Sequence, residues 1–440
     1  MTGLSGSRTH PRTATRSHLD DAFLDMIDRR LADTDEQLRD TYPGDDGRRQ
    51  PVHTVYVPAD RYRGDLPKQW GEQATQLVAA HGGHAELCSI AGVPEHLVDD
   101  VADRVATKLA TDPIEDLRLD FEDGYGDRGD AAEDADAVGA AGHLADAVEA
   151  GIAPAFVGLR FKCFEDTTRR RGIRTLDLFL GTLLDRLGVL PDGFTITFPK
   201  VSTVSQVESM VEVCGALEER LGLDAGRLGF EIQVETPQII ISSDGSIPIA
   251  RALHAGAGRV TALHYGTYDY SASLQIAAAH QAGDHPAADF AKQVMQVAVA
   301  GTAVHLADGS TNILPLGSND QVRAAWQLHA RLVRRALERG FYQGWDLHAH
   351  QLPTRYAATF AFYRADLAST TTRLAAYINH DDSQILDEPA TARALARYLQ
   401  RGLVCGAVAD HEVESSTGIT ADRIAALARA RPIPVDAAPA

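Results

Sequence analysis

The chain has 440 residues, of which 44% are hydrophobic and 23% are charged. These proportions are typical of a globular protein and argue against wholesale disorder and against a membrane protein. With 42 Lys and Arg residues against 61 Asp and Glu residues, the formal net charge is −19, which makes general binding to nucleic-acid phosphates unfavourable.

Residues 1–51 are predicted to form a flexible or helical N-terminal arm. The opening MTGLSGSRTHPRTATRS is polar and basic and lacks the apolar core of a secretory signal. Such a start can imitate an organellar transit peptide, but a flexible tail is the favoured interpretation. The apolar spacing from Leu19 to Leu38 predicts a helix, which TYPGDDGRRQP ends. No run in the sequence reaches the roughly 18 apolar residues that a membrane span needs.

Residues 52–365 alternate between β-rich runs and helical stretches, which predicts an α/β protein with a (β/α)8 TIM barrel as its catalytic domain. The interval 61–116 is long for one crossover, and an insertion is expected around HGGHAELCSIAGVPEH. The eight predicted strands are 53–60, 117–124, 156–162, 194–201, 228–236, 259–266, 311–317 and 342–350.

Residues 366–440 are predicted to be a C-terminal helical extension with helices over 366–380, 390–404 and 420–430, followed by a frayed Pro/Ala tail. We expect this extension to cap the barrel mouth or to pack between subunits. The cysteines lie too far apart for a CxxC motif, so we expect reduced thiols in a cytoplasmic protein rather than a zinc ribbon or disulfides. They are Cys88, Cys163, Cys214 and Cys405.

Working residues of a parallel barrel lie at the carboxyl ends of its strands. The fifth predicted strand alternates, and its polar residues Glu231, Gln233 and Glu235 should face the barrel axis. Glu235 ends this strand and Asp269 follows the next one, so two carboxylates can reach one point. Carboxylate oxygens and water are the ligands that Mg²⁺ prefers, although the spacing alone also fits a solvated loop aspartate.

Two cations at neighbouring strand ends, Arg160 and Lys200, could complete this site. A guanidinium can bind a carboxylate through two parallel hydrogen bonds. The alternative is an internal salt bridge with the acidic segment that contains Asp120, Glu122 and Asp123, and both can hold together. The acidic segment is not an EF-hand, because the required Gly and closing Glu are out of place.

The DLHAH motif contains Asp346, His348 and His350, and histidines two apart on a strand can bind zinc. The same pattern opens the barrel of metal-dependent amidohydrolases. Here it lies on the eighth predicted strand, and no new barrel fits behind it, which disfavours that function. The sequence also lacks a P-loop, a GxGxxG after a strand and a GxSxG elbow.

Seven blocks over roughly 53–353 resemble, in the same order, those of the superfamily of citrate lyase β-subunits and HpcH/HpaI-type aldolases, which is related to malate synthases. The resemblance implies that Glu235 and Asp269 bind Mg²⁺, with Mn²⁺ as the alternative ion, and that Arg160 grips a carboxylate or enolate. It places the closing histidine in a structural or rim position. The blocks are TVYVPADRY, LRLDFEDGYGDR, VGLRFK, FPKVSTVSQVE, EIQVETPQII, ALHYGTYDYSASL and WDLHAHQLP.

The sequence departs from the family pattern where substrate would be recognised. Ala59 and Asp60 stand where the family has Gly or Asn, Lys162 replaces an Asn, and Ala349 or His350 replaces a Pro. The block HYGTYDYSAS also resembles that of malate synthases as closely as that of the lyases. The family's substrates therefore do not transfer directly to this chain.

The favoured function is that of a Mg²⁺-dependent carbon–carbon lyase or aldolase, acting on a 2-oxo acid or hydroxyacyl-CoA through a metal-stabilised enolate. The general base stays open among Asp120, Glu122, Asp123, Lys200 and the C-terminal helices. One alternative is malate-synthase-like condensation of an acyl-CoA, with a CoA thioester as substrate, and the other is a barrel that binds a ligand or partner without turnover. We expect no nucleic-acid or membrane partner, and the resemblance implies a homo-oligomer, either a trimer or a hexamer.

Overall fold

The computed structural model describes residues 18–379 and 389–429. The predicted tail at 431–440 and the first 17 residues lie outside this described part. The chain divides after Pro43 into two compact units. The first contains α1 (Asp21–Thr41), which Asp20 caps by accepting a hydrogen bond from the backbone N–H of Phe23 at 2.9 Å. This confirms the predicted helix, and no side chain within it is buried.

Eight parallel strands form the barrel of the second unit. Their order is β7-β6-β5-β4-β3-β2-β1-β8, and a parallel bridge between Ala307 and Gln343 joins β7 to the segment that precedes β8. The expected (β/α)8 TIM barrel is therefore confirmed. The strands are β1 (His53–Pro58), β2 (Asp116–Asp120), β3 (Phe156–Arg160), β4 (Phe194–Phe198), β5 (Phe230–Val234), β6 (Val260–Tyr265), β7 (His305–Ala307) and β8 (Gly344–Asp346).

Helices follow each strand and pack around the barrel. Capping boxes begin two of them, at Thr203 and at Ser318, where a glutamine three residues later bonds back to the cap. The helices are α2 (Leu66–Ala80), α3 (Gly83–Ile90), α4 (Val98–Thr111), α5 (Asp130–Glu149), α6 (Arg169–Leu187), α7 (Val204–Leu221), α8 (Pro237–Ile240), α9 (Pro248–Ala255), α10 (Thr267–Ser273), α11 (Pro286–Val299), α12 (Asn319–Glu338) and α13 (Leu352–Ala365). The extra helix α3 occupies the insertion that the sequence predicts.

The seventh strand is not where the sequence predicts it. The apolar run 311–317 is a loop that leads towards α12, and it contains Pro315 with Ile313 and Leu316 exposed on either side. The strand lies earlier, at His305–Ala307. Three residues are too short to show the alternation that identifies a strand, whereas a run of β-branched and apolar residues imitates one.

The helical extension continues with α14 (Leu367–Asn379), α15 (Pro389–Val404), α16 (Asp410–Thr417) and α17 (Ala421–Ala428). In α15, the guanidinium of Arg401 lies 3.3 Å from Asp45, and Gln400 donates to the carbonyl of Gly47. Both partners precede β1, so α15 lies at the amino ends of the strands. The expectation that the extension caps the mouth is wrong for this helix, because the mouth is at the other end.

The four cysteines are free, and all four are buried. Burial raises the pKa of three of these thiols to about 12, which keeps them protonated and unreactive near neutral pH. Across the described helices, none is both long and apolar enough to cross a bilayer.

A buried polar layer fills the barrel below its mouth. Glu231 of β5 accepts hydrogen bonds from Arg118 of β2, with Nη2 at 2.9 Å, and from Thr197 of β4, and His264 Nε2 of β6 lies 3.1 Å away. Arg118 also pairs with Asp116. These contacts confirm that the polar face of β5 points to the axis. They join strands that are not neighbours in the sheet through one charged network.

Replacing Glu231 with Gln should destabilise the protein by about 3–5 kcal/mol, because Arg118 would keep its charge in the interior with half of its compensation removed. Urea denaturation of the purified variant measures this change in the free energy of unfolding. Glu208→Gln on the exposed face of α7 is the matched control and should change it by less than about 0.5 kcal/mol. A loss below about 1 kcal/mol for Glu231→Gln would contradict the structural role of the network.

Candidate active site

The residues predicted to carry chemistry meet at the carboxyl ends of the strands. Glu235 follows β5, and Asp269 lies in the first turn of α10, directly after β6. Arg160 ends β3, and Lys200 follows β4. The structure thus brings together the side chains of four consecutive strand ends, and the acidic segment after β2 joins them.

Lys200 is the common partner of these carboxylates. Its Nζ donates to Glu122 and to both oxygens of Asp123 at 2.9 Å, and it lies 3.1 Å from Asp269 Oδ2. Its backbone N–H donates to Glu235 Oε2 at 3.3 Å. Lys200 adopts a φ of +49°, a left-handed conformation that non-glycine residues seldom take and that clusters at functional sites.

Arg160 forms the internal salt bridge that the sequence offers as one interpretation. Its Nε and Nη2 donate to the two oxygens of Asp120 at 2.7 and 2.8 Å, and Nη1 lies 3.3 Å from Glu122 Oε2. The guanidinium also lies 4.8 Å from the centre of the Tyr56 ring, within the range of a cation–π contact. The head group is therefore fixed in orientation from two sides.

The carboxylate of Glu235 is buried, with 3% of the residue exposed. Burial, followed by repulsion from Glu122, raises its pKa to about 8, against the opposing effect of Arg160 and Lys200. Negative charge at this position is therefore incompletely compensated by the protein. A bound cation would supply the missing compensation.

The absence of a side chain at Gly266 makes room for the side chain of Glu235. A Cβ on this glycine would lie 2.2 Å from Cγ and 2.7 Å from Oε1 of Glu235. Its φ of −100° is open to any residue, so the requirement for glycine here is spatial rather than conformational.

The donor set fits Mg²⁺. Within residues 18–379 and 389–429, no three His, Cys, Asp or Glu side chains form a ready-made metal cage. Mg²⁺ does not require one, because it keeps several waters and is commonly held by one or two carboxylates together with substrate oxygens. Glu235 and Asp269 supply such a pair from adjacent strand ends.

The aspartate of the DLHAH motif lies in the interior, whereas His348 and His350 are half-buried, and His350 Nδ1 lies 3.2 Å from the carbonyl oxygen of Pro315. Asp346 is fully buried and accepts from His53 Nδ1 at 2.8 Å and from Arg355 through both of its oxygens, and His329 Nε2 lies 3.0 Å away. The charge of the Arg355 guanidinium and the hydrogen bonds from His329 and His53 hold the pKa of Asp346 well below its usual range, despite burial, which acts in the opposite direction. Asp346 thus ties β8 to β1, to α12 before it and to α13 after it.

Two contributors were missed by sequence reasoning, namely Tyr56 and Gly266. Tyr56 alternates with Val55 and Val57 in β1, and this alternation is the signal that could have placed its hydroxyl on the barrel axis. Gly266 carries no such signal, because its role depends on the neighbouring strand. The C-terminal helices were also candidates for the source of the general base. One of them, α15, cannot supply it, because it lies at the opposite end of the barrel from the site.

Residues 31–432 match the family model described as a domain of unknown function, DUF6986. The chain belongs to the DUF6986 family. A comparison with curated proteins found no match. A crystal structure of a citrate lyase from Burkholderia xenovorans LB400 is 19% identical with a TM-score of 0.55, and the alignment covers 84% of this DUF6986 chain and 97% of that chain. This likeness shows that the two proteins share the barrel fold.

Two structures of malate synthase from Haloferax volcanii are also similar to the DUF6986 chain. Native enzyme with glyoxylate is 12% identical with a TM-score of 0.47, and the alignment covers 85% of this chain and 89% of that one. The magnesium and glyoxylate complex is 13% identical with a TM-score of 0.47, covering 88% and 99% respectively.

Replacing Gly266 with Ala should weaken Mn²⁺ binding at least ~10-fold, because the new methyl group must displace the Glu235 carboxylate from its place. Isothermal titration calorimetry of the metal-free protein measures the affinity. Gly283→Ala is the matched control, since a Cβ there meets nothing within 4 Å. Equal affinities for the Gly266→Ala variant and the wild type would show that the position of Glu235 does not matter for the metal.

Proposed function

We propose that this DUF6986 chain is a Mg²⁺-dependent carbon–carbon lyase or aldolase of the citrate lyase β-subunit and HpcH/HpaI-type superfamily, acting on a 2-oxo acid or hydroxyacyl-CoA. The observation that carries the proposal is the convergence of Glu235, Asp269, Arg160 and Lys200 at the carboxyl end of one barrel. The order of the seven sequence blocks supports it independently. The shared fold with the citrate lyase is consistent with it.

In this proposal Glu235 and Asp269 hold the ion, Mg²⁺ or its substitute Mn²⁺. When bound, the ion supplies a Lewis acid that stabilises an enolate oxygen. The carboxylate of Glu235 is buried and accepts a long hydrogen bond of 3.3 Å from the backbone N–H of Lys200. Its charge is therefore weakly compensated, and its oxygens can bind a cation. The glycine at position 266 keeps this carboxylate in place.

Arg160 would bind the carboxylate or enolate of the substrate. Its Nε and Nη2 are committed to Asp120, so Nη1, which faces Glu122, is the nitrogen that can donate to an incoming anion. Because the aromatic ring of Tyr56 and the carboxylate of Asp120 fix the guanidinium, little ordering remains to be done when substrate binds.

Glu122 is the general base that the geometry favours. Asp120 already accepts two bonds from Arg160 and two from the backbone N–H groups of Glu122 and Gly124, which leaves it little capacity for a substrate proton. Asp123 is largely exposed to solvent. Glu122 is buried between two cations, Arg160 and Lys200, and would remove a proton from the carbon acid or from the leaving hydroxyl.

The wild-type protein with Mg²⁺ should exchange the methyl protons of pyruvate for deuterium in D₂O, because enolate formation alone replaces these protons. Glu235→Gln and Asp269→Asn should abolish the exchange while the fold stays intact. Proton NMR follows the methyl signal, and circular dichroism checks the fold. Asp146→Asn, an exposed carboxylate of α5 outside the site, should retain wild-type exchange.

An active Glu235→Gln variant would refute the assignment of the metal ligands. Loss of the methyl signal at equal rates with Mg²⁺ and with EDTA would refute the requirement for the ion. If Mn²⁺ binds but neither pyruvate nor a panel of 2-oxo acids exchanges, the enolate of a 2-oxo acid is excluded, which leaves a CoA-linked substrate or a barrel that binds a ligand without turnover.

Replacing Arg160 with Lys should lower the exchange rate ~100-fold. An ammonium group cannot make the two parallel bonds to Asp120 and still present a fixed donor to the substrate. The rate constant and the pyruvate concentration for half-maximal exchange, both from the same NMR assay, measure the effect. A Lys variant with wild-type rates would exclude a role for the planar guanidinium.

Malate-synthase-like condensation is the second candidate, because the block HYGTYDYSAS at residues 264–273 resembles the corresponding block of malate synthases as closely as that of the lyases. In that case a CoA thioester is a substrate together with a 2-oxo acid. Release of free CoA thiol from acetyl-CoA and glyoxylate distinguishes condensation from cleavage.

A further inference from the structure

Five carboxylates and two cations form one charged cluster at the barrel mouth. The carboxylates belong to Asp120, Glu122, Asp123, Glu235 and Asp269, and the cations to Arg160 and Lys200. Arg160 is turned towards the β2 side of this cluster, where it meets Asp120 and Glu122. Lys200 is therefore the cation that contacts the side on which Asp269 and Glu235 lie.

The ammonium of Lys200 occupies oxygens that a metal ion would need. Its Nζ lies 3.1 Å from Asp269 Oδ2, within hydrogen-bond distance. Mg²⁺ binds carboxylate oxygens at about 2.0–2.1 Å and carries a shell of water. An ammonium group and a hydrated ion cannot share the same face of one carboxylate, because both charge and volume oppose it.

The ammonium of Lys200 has other partners, Glu122 and Asp123, with which it can stay paired when it leaves Asp269. The same Nζ contacts Glu122 and both oxygens of Asp123, and Asp123 is more than half exposed. The backbone of Lys200, with φ at +49°, directs its own N–H to Glu235 while its side chain reaches the acidic segment. A small rotation of the side chain therefore frees Asp269 without leaving the ammonium unpaired.

We propose that Lys200 is an internal competitor of the divalent cation, which neutralises Asp269 and its neighbours in the metal-free protein and withdraws to Glu122 and Asp123 when the ion binds. This inference rests on the proposed function, because it takes Glu235 and Asp269 as the metal ligands. It assigns to Lys200 a role in setting metal affinity rather than in proton transfer.

Two substitutions isolate the ammonium. Lys200→Met keeps the bulk of the side chain without its charge, and Lys200→Gly removes the side chain at a φ that glycine adopts freely. Both should bind Mn²⁺ at least ~10-fold more tightly than the wild type in calorimetric titrations of the EDTA-treated, full-length protein. Both should also melt at a lower temperature in EDTA and gain more in melting temperature from added Mn²⁺.

Lys162→Met is the matched control, because it removes the same charge from the neighbouring strand end. The ammonium of Lys162 contacts the carbonyls of Phe121 and Gly126 and the carboxylate of Glu133, but none of the five carboxylates of the mouth. Its Mn²⁺ affinity should stay within about twofold of the wild-type value. A gain equal to that of the Lys200 variants would reduce the effect to overall charge and overturn the inference.

Unchanged or weaker Mn²⁺ binding by both Lys200 variants would also overturn it, and Lys200 would then be a structural partner of the acidic segment. The Glu235→Gln variant separates this failure from that of the proposed function. If Glu235→Gln abolishes Mn²⁺ binding while the Lys200 variants match the wild type, the metal site stands and only the competition fails. If none of these proteins binds Mn²⁺, both proposals fail.

Discussion

The ion pair between Arg160 and Asp120 holds the mouth of the barrel in shape. The two residues are direct neighbours in the register of β3 and β2, so the pair follows from strand pairing itself. Asp120 also accepts the backbone N–H groups of Glu122 and Gly124 at 3.0 and 2.8 Å, which bends the segment after β2 back over its own strand. That bend presents Glu122 to Lys200, and the contacts of Lys200 with the other acidic side chains depend on it.

The charges of the barrel differ between its depth and its mouth. In the interior Glu231 and Asp116 share Arg118, and the pKa of Glu231 lies below its usual range although burial opposes this. At the mouth the acids outnumber the bases. A cavity of about 500 Å³ opens at the amino ends of the strands, but its Arg118 and Arg259 are already paired with acids, so the presence of a cavity does not by itself mark the functional end of this barrel.

Alternation and strand ends were sufficient to predict much of this structure. Seven of the eight predicted strands overlap observed ones. The position of Glu235 at the mouth could be predicted because the alternation of Glu231 and Gln233 identifies the polar face of β5. The three-residue strand β7 was not predicted, because it is too short to show the alternation of apolar and polar residues that identifies a strand. The contacts of Lys200 with several carboxylates and the location of α15 were not predicted either. Both arise from contacts between segments far apart in the chain, which local sequence patterns do not encode.

The contact between Asp45 and Arg401 spans 356 residues of the chain. During synthesis at about 5–20 residues per second, roughly 20–70 seconds separate the appearance of these two partners. The segment before β1 is therefore synthesised long before α15, which it contacts in the folded protein. The same holds for β1, because its partner strand β8 is synthesised nearly as late as α15. Closure of this barrel consequently cannot precede the synthesis of β8, and until then β1 can pair with β2 while its other edge stays open to intermolecular pairing.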